Sequence, residues 1–331
     1  MDTMDIAKIG DLCGRVGRNI ARVIVGKEEV IDLSLVALLA GGHLLLEDVP
    51  GTGKTVLAKS LARSVGVEFR RVQFTPDLLP SDLTGIQYYN QKQSEFIFRK
   101  GPVFTHILLA DEINRATPRT QSSLLECMEE RQVTADGVTH PLEDPYFVIA
   151  TQNPVETQGT FPLPEAQLDR FLIRTSVGYP TPEQSADMLR RFLRDDPLAS
   201  LSPVCGREEL LAARAGIRAV YTGEELIGYI VEIVERTRRH AAVRTGVSPR
   251  GAIALLHAAQ AAAALHSRSF VSPEDVKRLA VPVLAHRLIL REERRAAGES
   301  AESVVASIVS DVPAPTEEWP EPPAAMRKPE A

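Results

Sequence analysis

A glycine-rich loop constrains the fold of this chain more than any other feature of its sequence. Residues 47–55 follow a short apolar run, and a helical stretch begins directly after them. Gly51 and Gly53 allow backbone N–H groups to curl around phosphate oxygens, and the N-terminus of a helix adds positive potential. Lys54 is suited to bridge two phosphates and the Thr55 hydroxyl to bind Mg²⁺. The loop therefore predicts a phosphate-binding turn between a buried strand and a helix.

Short apolar runs elsewhere predict the strands of a single buried sheet. With the run before the loop there are five of them, at residues 43–47, 69–74, 106–111, 146–151 and 171–177. Helical stretches separate most of the runs, which is the pattern of a parallel sheet flanked by helices. We therefore predict an α/β domain over residues 1–180, with helices on both faces of a five-stranded parallel sheet. Residues 85–99 surround a polar turn and predict a hairpin.

The second half of the chain has a different texture, because the apolar runs end after Gly178 and helix starts recur. Thr181, Ser248 and Ser272 are each followed by Pro, the pattern of a hydroxyl N-cap before the first helical residue. We therefore predict an all-helical domain over residues 181–297. Residues 298–331 are polar and rich in Pro and Glu, which predicts a disordered tail.

Composition excludes some classes of protein. Against 38 Lys and Arg stand 44 Asp and Glu, so the net charge is −6, which disfavours wholesale nucleic-acid binding. Three widely separated cysteines indicate a reducing compartment. We find neither the apolar core of a signal peptide nor an uncharged run of about 18 residues, so we expect a cytoplasmic protein without a transmembrane segment.

Polar side chains follow the third and fourth predicted strands. The third ends in Asp111 and Glu112, which places one acid near Mg²⁺ and the other where it can orient and deprotonate the attacking water. Asn153 follows the fourth strand, where its amide is suited to hold that water or a γ-phosphate oxygen. A turn-forming Asn-Pro pair is the alternative, and spacing alone does not decide between the two.

Taken together, these motifs resemble the MoxR branch of the AAA+ ATPases. The strings that carry the resemblance are residues 46–55, 73–82, 111–116, 150–154, 163–171 and 248–250. They span roughly residues 25–290. Asp48 departs from the general superfamily pattern, which has Gly at this place, although MoxR-like sequences often carry Asp there.

The resemblance implies a role for each matched residue. Walker A contains Pro50, Gly51, Thr52, Gly53, Lys54 and Thr55, and Walker B contains Asp111 and Glu112, with Asp111 reaching Mg²⁺ through a water. Val25 and Gly26 match the segment that lines the adenine pocket, and Asn153 matches the sensor 1 residue. Arg170 matches the arginine finger, which acts on the nucleotide of a neighbouring subunit. Arg250 matches sensor 2, which lies on a lid helix over the nucleotide. Gln73 matches a residue that holds Glu112 unproductive. Residues 85–99 match a hairpin that projects toward a central pore, and residues 132–141 match a second hairpin insertion.

The function implied is Mg²⁺-dependent ATP hydrolysis at the subunit interfaces of a homo-oligomeric ring, expected to be a hexamer. Such a ring would remodel, mature or activate a protein complex in a chaperone-like way, in some cases with metal insertion, and a protein with a von Willebrand factor A domain is the expected client. The alternatives are a chelatase-like or DNA-acting motor subunit and a nucleotide-gated scaffold that does not hydrolyse.

Two groups of side chains remain open to a local or an intermolecular interpretation. The aromatic residues of the first hairpin either pack within it or grip a client; they are Tyr88, Tyr89, Phe96 and Phe98. Arg115 and Arg119 are either solvated loop cations or contacts to a neighbouring subunit.

Overall fold

The computed structural model describes residues 4–154, 158–193 and 196–315. The helices of its α/β part are α1 (Ile6–Ala21), α2 (Glu28–Leu39), α3 (Lys54–Ser64), α4 (Pro80–Thr84), α5 (Pro118–Glu130) and α6 (Glu165–Leu168). The strands of this part are β1 (Leu44–Glu47), β2 (Phe69–Gln73), β3 (Gly85–Asn90), β4 (Glu95–Lys100), β5 (Ile107–Asp111), β6 (Gln132–Ala135), β7 (Val138–Pro141), β8 (Phe147–Gln152) and β9 (Ile173–Thr175).

The second part of the chain is mostly helical. Its helices are α7 (Pro182–Phe192), α8 (Arg207–Gly216), α9 (Glu224–Arg239), α10 (Pro249–Leu265), α11 (Pro273–Leu284), α12 (Glu292–Ala296) and α13 (Ala301–Asp311). Two short strands, β10 (Val243–Thr245) and β11 (Ile289–Leu290), form an antiparallel pair within it. None of the described helices is both long and apolar enough to span a bilayer.

The large sheet has the strand order β2-β5-β8-β1-β9, and all of its neighbouring strands are parallel. This confirms the predicted five-stranded parallel sheet. Because the carboxyl ends of parallel strands lie at one edge, the loops after β1, β5 and β8 meet there. These three strands carry the predicted phosphate-binding and acidic motifs, so the topology alone brings the motifs together.

Both faces of the sheet are buried at its central strands β1, β5 and β8, as expected for parallel strands covered by helices. Leu44 and Leu46 of β1 face a core formed with α1, α2 and α3, whereas Leu45 faces a second core formed with α4 and α5. The first core continues without a break into α10 and α11, and the buried alanines of α10 allow close packing on α1 and α2. The helical part therefore packs against one face of the α/β part through a large apolar contact.

The predicted tail differs from the structure. Residues 301–311 form α13, whose N-cap Ser300 accepts a hydrogen bond from the Ser303 N–H. The expectation of disorder from residue 298 fails here because Val304, Val305 and Ile308 lie on one face of the helix and are buried in the first core. Residues 316–331 lie outside the described part of the chain. The β10–β11 pair likewise departs from the prediction of an all-helical domain.

Candidate nucleotide site

The loop between β1 and α3 has the backbone geometry of a phosphate cradle. Gly51 and Gly53 have φ of 85° and 91°, values that favour glycine, and α3 begins directly after Gly53. The Lys54 ammonium donates hydrogen bonds to the carbonyl oxygens of Asp48 (2.7 Å) and Val49 (3.0 Å). Burial lowers the pKa of Lys54, an effect opposed by Asp48 and by the acids after β5. The loop therefore holds a cation over the turn.

A cleft of about 380 Å³ opens beside this loop. Its lining is Pro50, Gly51, Gly53, Lys54, Thr55, Val56, Arg71, Asp111, Glu112, Thr151, Gln152 and Asn153. The cleft thus joins the ends of four strands and contains most of the residues predicted for Walker A, Walker B and sensor 1. Thr52 belongs to the loop without lining the cleft, and its hydroxyl donates to the Val49 carbonyl (3.3 Å).

Asp111, at the end of β5, is the most enclosed acid of the cleft. Its Oδ1 accepts a hydrogen bond from the Thr151 hydroxyl (2.6 Å), and its Oδ2 accepts from Arg71 Nε (2.9 Å). Sequence analysis missed both partners. Thr151 lies inside a matched string, directly before Gln152 and Asn153, so its place at a strand end was a usable signal. Arg71 gave no such signal.

Glu112 lies in an uncommon backbone conformation, with φ of 57° and ψ of 50°. Its N–H donates to the Thr151 hydroxyl (2.8 Å). Its Oε2 accepts from Gln73 Nε2 (2.7 Å) and from Arg115 Nη1 (3.3 Å). The Gln73 contact is the one that the resemblance implied. Arg115 is paired with Glu112 rather than being simply a solvated loop cation.

Asn153 is buried at the end of β8 and lines the cleft. Its backbone carbonyl accepts a hydrogen bond from Asn114 Nδ2 (3.3 Å), which ties the loop after β8 to the loop after β5. The side chain therefore stands at the sheet edge where the sequence predicts a polar sensor.

The hydrogen bonds of Asp48 give a structural reason for a carboxylate where the superfamily pattern has Gly. Its Oδ2 accepts hydrogen bonds from the N–H groups of Val177 (2.8 Å) and Gly178 (2.7 Å), and its Oδ1 accepts from the Val49 N–H (3.0 Å). Glycine at this position offers no side-chain acceptor. The carboxylate thus fastens the phosphate-binding loop to the segment that leads from β9 into the helical part.

The segment predicted to line the adenine pocket lies beside the start of α7. The Gly26 carbonyl accepts from Gln184 Nε2 (3.1 Å), and Gly26 has φ of 64°. The next residue, Lys27, donates to the Tyr179 carbonyl (2.9 Å). Within the described residues, neither Val25 nor Gly26 lines the cleft around Lys54. They are linked to that cleft through the segment that Asp48 binds.

Two predicted arginines lie away from the cleft. Neither Arg170 nor Arg250 is among the described residues that line it. Arg250 pairs with Glu129 at the end of α5 (2.5 Å) and comes within 4.0 Å of Asp169. Arg170 follows Asp169 directly, and within the described parts of the chain it forms no ion pair.

Arg250 therefore lies away from the cleft of its own chain, and its role as sensor 2 stays a prediction. The cause of this position is the docking of the helical part on α1 and α2, which carries the start of α10 to the outer end of α5. The buried Arg287, which sequence analysis missed, fixes this arrangement. Its guanidinium donates to the Asp169 carboxylate (2.6 Å) and to the Phe171 carbonyl (2.7 Å).

The hairpin β3–β4 exposes aromatic side chains. Tyr89 and Phe96 contact each other with ring centroids 5.3 Å apart, yet they remain 51% and 68% exposed. Phe98 instead stacks on His140 of the β6–β7 hairpin at 4.2 Å and packs edge-on against Phe104. The packing interpretation therefore holds for Phe98, while Tyr89 and Phe96 form an apolar surface at the outer end of the hairpin.

Comparison with known proteins identifies the family. The sequence profile for the ATPase family associated with various cellular activities (AAA) matches residues 43–173, and the AAA lid domain matches residues 235–308. Chaperone MoxR1 of Mycobacterium tuberculosis is 40% identical over 305 residues, which cover 89% of this chain and 80% of that protein. The chain belongs to the MoxR family of AAA+ ATPases. It is therefore an ATPase.

Further relatives agree with membership of the MoxR family. The uncharacterised protein YeaC of Bacillus subtilis is 51% identical over 306 residues, covering 92% of this chain and 96% of that protein. Protein MoxR of Methylorubrum extorquens is 31% identical over 332 residues, covering 92% of this chain and 96% of that protein. A crystal structure from Cytophaga hutchinsonii superposes with a TM-score of 0.88 at 39% identity, covering 94% of this chain and 97% of that one.

Proposed function

We propose that this protein hydrolyses ATP with Mg²⁺ at sites shared between neighbouring subunits of a homo-oligomeric ring, expected to be a hexamer. The observation that carries the proposal is a division of the site. The Walker A and Walker B residues meet in one cleft, whereas Arg170 and Arg250 stand together at a different face of the same chain. A second copy that brings this face to the cleft would complete the site.

The cleft offers the donors that a magnesium nucleotide requires. Mg²⁺ prefers oxygen ligands and keeps several waters, and Thr55 and Asp111 present a hydroxyl and a carboxylate in the same cleft. The described residues contain no group of three His, Cys, Asp or Glu side chains able to hold a metal ion alone. We therefore infer that Thr55 binds the ion directly, that Asp111 acts through a water, and that phosphate oxygens complete the ligand set. Bound Mg²⁺ would neutralise charge that develops on the phosphates.

The chain's own residues then divide the chemistry. Loop N–H groups and Lys54 bind the phosphates. Glu112 orients the attacking water and takes its proton once its carboxylate leaves Gln73, and Asn153 fixes the other side of that water. Val25 and Gly26 line the adenine end of the site.

Arg170 and Arg250 act on the nucleotide of the neighbouring subunit. A guanidinium delivered to the charge that develops on a transferred phosphoryl group accelerates the reaction by about 10³–10⁵-fold. Arg170 suits this role because its side chain has no ion-pair partner among the described residues. We infer that Arg250 follows it to the same phosphate, since Arg250 lies within 4.0 Å of Asp169, the residue directly before Arg170.

The ring converts turnover into chaperone-like work on a protein complex, which it remodels, matures or activates, with metal insertion as one form of that work. The name of the relative Chaperone MoxR1 supports this step. The exposed Tyr89 and Phe96 are suited to contact an unfolded or apolar client segment. A protein with a von Willebrand factor A domain is the client class that we expect, and the three buried free cysteines suit a cytoplasmic location.

The test is ATP turnover per subunit across a wide range of protein concentration at saturating Mg²⁺. Wild type is compared with Arg170→Ala and with the control Arg239→Ala, which removes a 75% exposed arginine of α9. We expect specific activity to rise with concentration and Arg170→Ala to bind ATP while losing nearly all turnover. A flat activity per subunit together with an unaffected Arg170→Ala would refute the shared site.

A further inference from the structure

Arg71 connects the two acids of the cleft. It lies on β2, two residues before Gln73, and the register pairs Gln73 with Asp111 on β5. Its Nε donates to Asp111 Oδ2 (2.9 Å), and its Nη2 lies 2.8 Å from the same oxygen and 2.8 Å from Gln73 Oε1. Gln73 in turn donates to Glu112 Oε2 (2.7 Å). A single guanidinium thus holds one acid directly and the other through an amide.

The chemistry of the contact requires arginine. A planar guanidinium donates in two fixed directions, so it can bind a carboxylate and an amide oxygen at once, whereas an ammonium acts as a point charge. By accepting from Arg71, the Gln73 carbonyl turns its NH₂ group toward Glu112. The orientation of Gln73, and with it the restraint on Glu112, therefore depends on Arg71.

The same contact conflicts with the arrangement needed for turnover. Both oxygens of Asp111 are already engaged, one by Thr151 and one by Arg71. Arg71 also lines the cleft, so its positive charge stands where a divalent cation and its waters have to approach Asp111. Mg²⁺ and the Arg71 guanidinium therefore compete for the Asp111 carboxylate.

We propose that Arg71 is a positioning residue of the ATPase site: it restrains Asp111 and, through Gln73, Glu112, until Mg²⁺ and nucleotide displace it. This inference rests on the roles proposed above for Asp111 and Glu112. Removal of Arg71 lowers the Mg²⁺ concentration needed to assemble the site. Because Arg71 is 47% exposed, solvent weakens the pair, so we expect a shift of about fivefold rather than a hundredfold.

The experiment measures binding of a fluorescent, non-hydrolysable ATP analogue by the full chain during a Mg²⁺ titration after removal of metal by EDTA. The variants are Arg71→Met, Arg71→Lys and the control Arg70→Met. Arg70 is the neighbouring cation on β2 and contacts Glu68 (2.8 Å) instead of the cleft acids. Circular dichroism establishes that each variant is folded.

We expect Arg71→Met to lower the half-saturating Mg²⁺ concentration about fivefold, Arg71→Lys to lower it less because charge is retained, and Arg70→Met to match wild type. If Arg71→Met does not fold, a midpoint for Arg71→Lys below that of wild type supports the proposal. At Mg²⁺ concentrations below the wild-type midpoint, Arg71→Met should also turn over ATP faster than wild type.

An unchanged or raised midpoint in a folded Arg71 variant overturns the proposal, as does an equal shift in Arg70→Met or a loss of turnover at every Mg²⁺ concentration. Asp111→Asn separates this result from a failure of the proposed function. If Asp111→Asn leaves the Mg²⁺ dependence unchanged, the role of Asp111 is wrong. If Asp111→Asn raises the midpoint while Arg71→Met does not lower it, only the role of Arg71 is wrong.

Discussion

Replacing Asp48 with Ala tests how the phosphate-binding loop is fastened to the rest of the chain. The substitution removes the acceptor for three N–H groups, those of Val49, Val177 and Gly178. The Val177 and Gly178 donors are held by one oxygen of a carboxylate that is only 9% exposed. Nothing in the alanine side chain replaces that oxygen, so these donors lose their partner.

The magnitude follows from the two enclosed donors. A buried donor that loses its acceptor costs about 1–3 kcal/mol, and two adjacent donors that share relaxation cost about 2–4 kcal/mol together. Since every 1.4 kcal/mol is a factor of about ten, we expect hydrogen exchange at the two amides to accelerate roughly 30-fold or more. Asp48→Asn keeps one acceptor oxygen without the charge, so its effect should be smaller.

Two measurements test this prediction. Residue-resolved hydrogen exchange reports the protection of the two amides, and urea denaturation gives the free energy of unfolding. Asp11→Ala serves as the control, because Asp11 is a 67% exposed acid whose partner Arg15 keeps its contact with Glu209. We expect Asp11→Ala to change stability by less than about 0.5 kcal/mol. Unchanged protection at residues 177 and 178 in Asp48→Ala would refute the tether.

Three further predictions concern buried groups. Burial lowers the pKa of His43 to about 3, so below about pH 6.5 this side chain binds a proton in the unfolded chain but stays neutral in the folded protein. The free energy of unfolding should therefore fall by up to about 1.4 kcal/mol per pH unit from this group between pH 6.5 and 3. His43→Gln should flatten that part of an acid-unfolding profile. Arg287→Met should lower the free energy of unfolding, measured in urea, by about 3–5 kcal/mol, because it leaves the Asp169 carboxylate without its buried partner. A decrease of less than about 1 kcal/mol would contradict a stabilising role for this ion pair. Burial raises the pKa of the three cysteine thiols, which belong to Cys13, Cys127 and Cys205. A disulfide reagent should therefore react slowly with the native protein and fully after unfolding. Fast reaction of the native protein would contradict this burial.

The sheet and the core of the site could be predicted because their signals are local. The central strands β1, β5 and β8 are short apolar runs buried on both faces, so each can be recognised in the sequence without knowing which strands pair with it. The loop glycines, Lys54 and the acids after β5 lie at strand ends. A parallel sheet gathers such ends at one edge whatever the detailed packing is.

The remaining features depend on contacts between distant parts of the chain. Asp48 binds residues about 130 positions later, and Arg71 binds an acid 40 positions later; no periodicity or motif reports such pairs. The ion pair of Arg250 with Glu129 could not be predicted, because the sequence does not say how the helical part docks on α1 and α2. In α13, the apolar stripe of Val304, Val305 and Ile308 was obscured by the Pro-rich residues that follow it.

The central claim is that each active site needs residues from two subunits, and a mixing experiment tests it most directly. Glu112→Gln lacks the base but keeps Arg170, and Arg170→Ala lacks the arginine but keeps Glu112. Each variant alone should be nearly inactive. Mixed in equal amounts and allowed to exchange subunits, the two should recover roughly a quarter of the wild-type turnover, since in a ring of head-to-tail contacts one in four random interfaces joins an intact Glu112 to an intact Arg170. A mixture that stays as inactive as its components, despite demonstrated subunit exchange, would contradict the shared site.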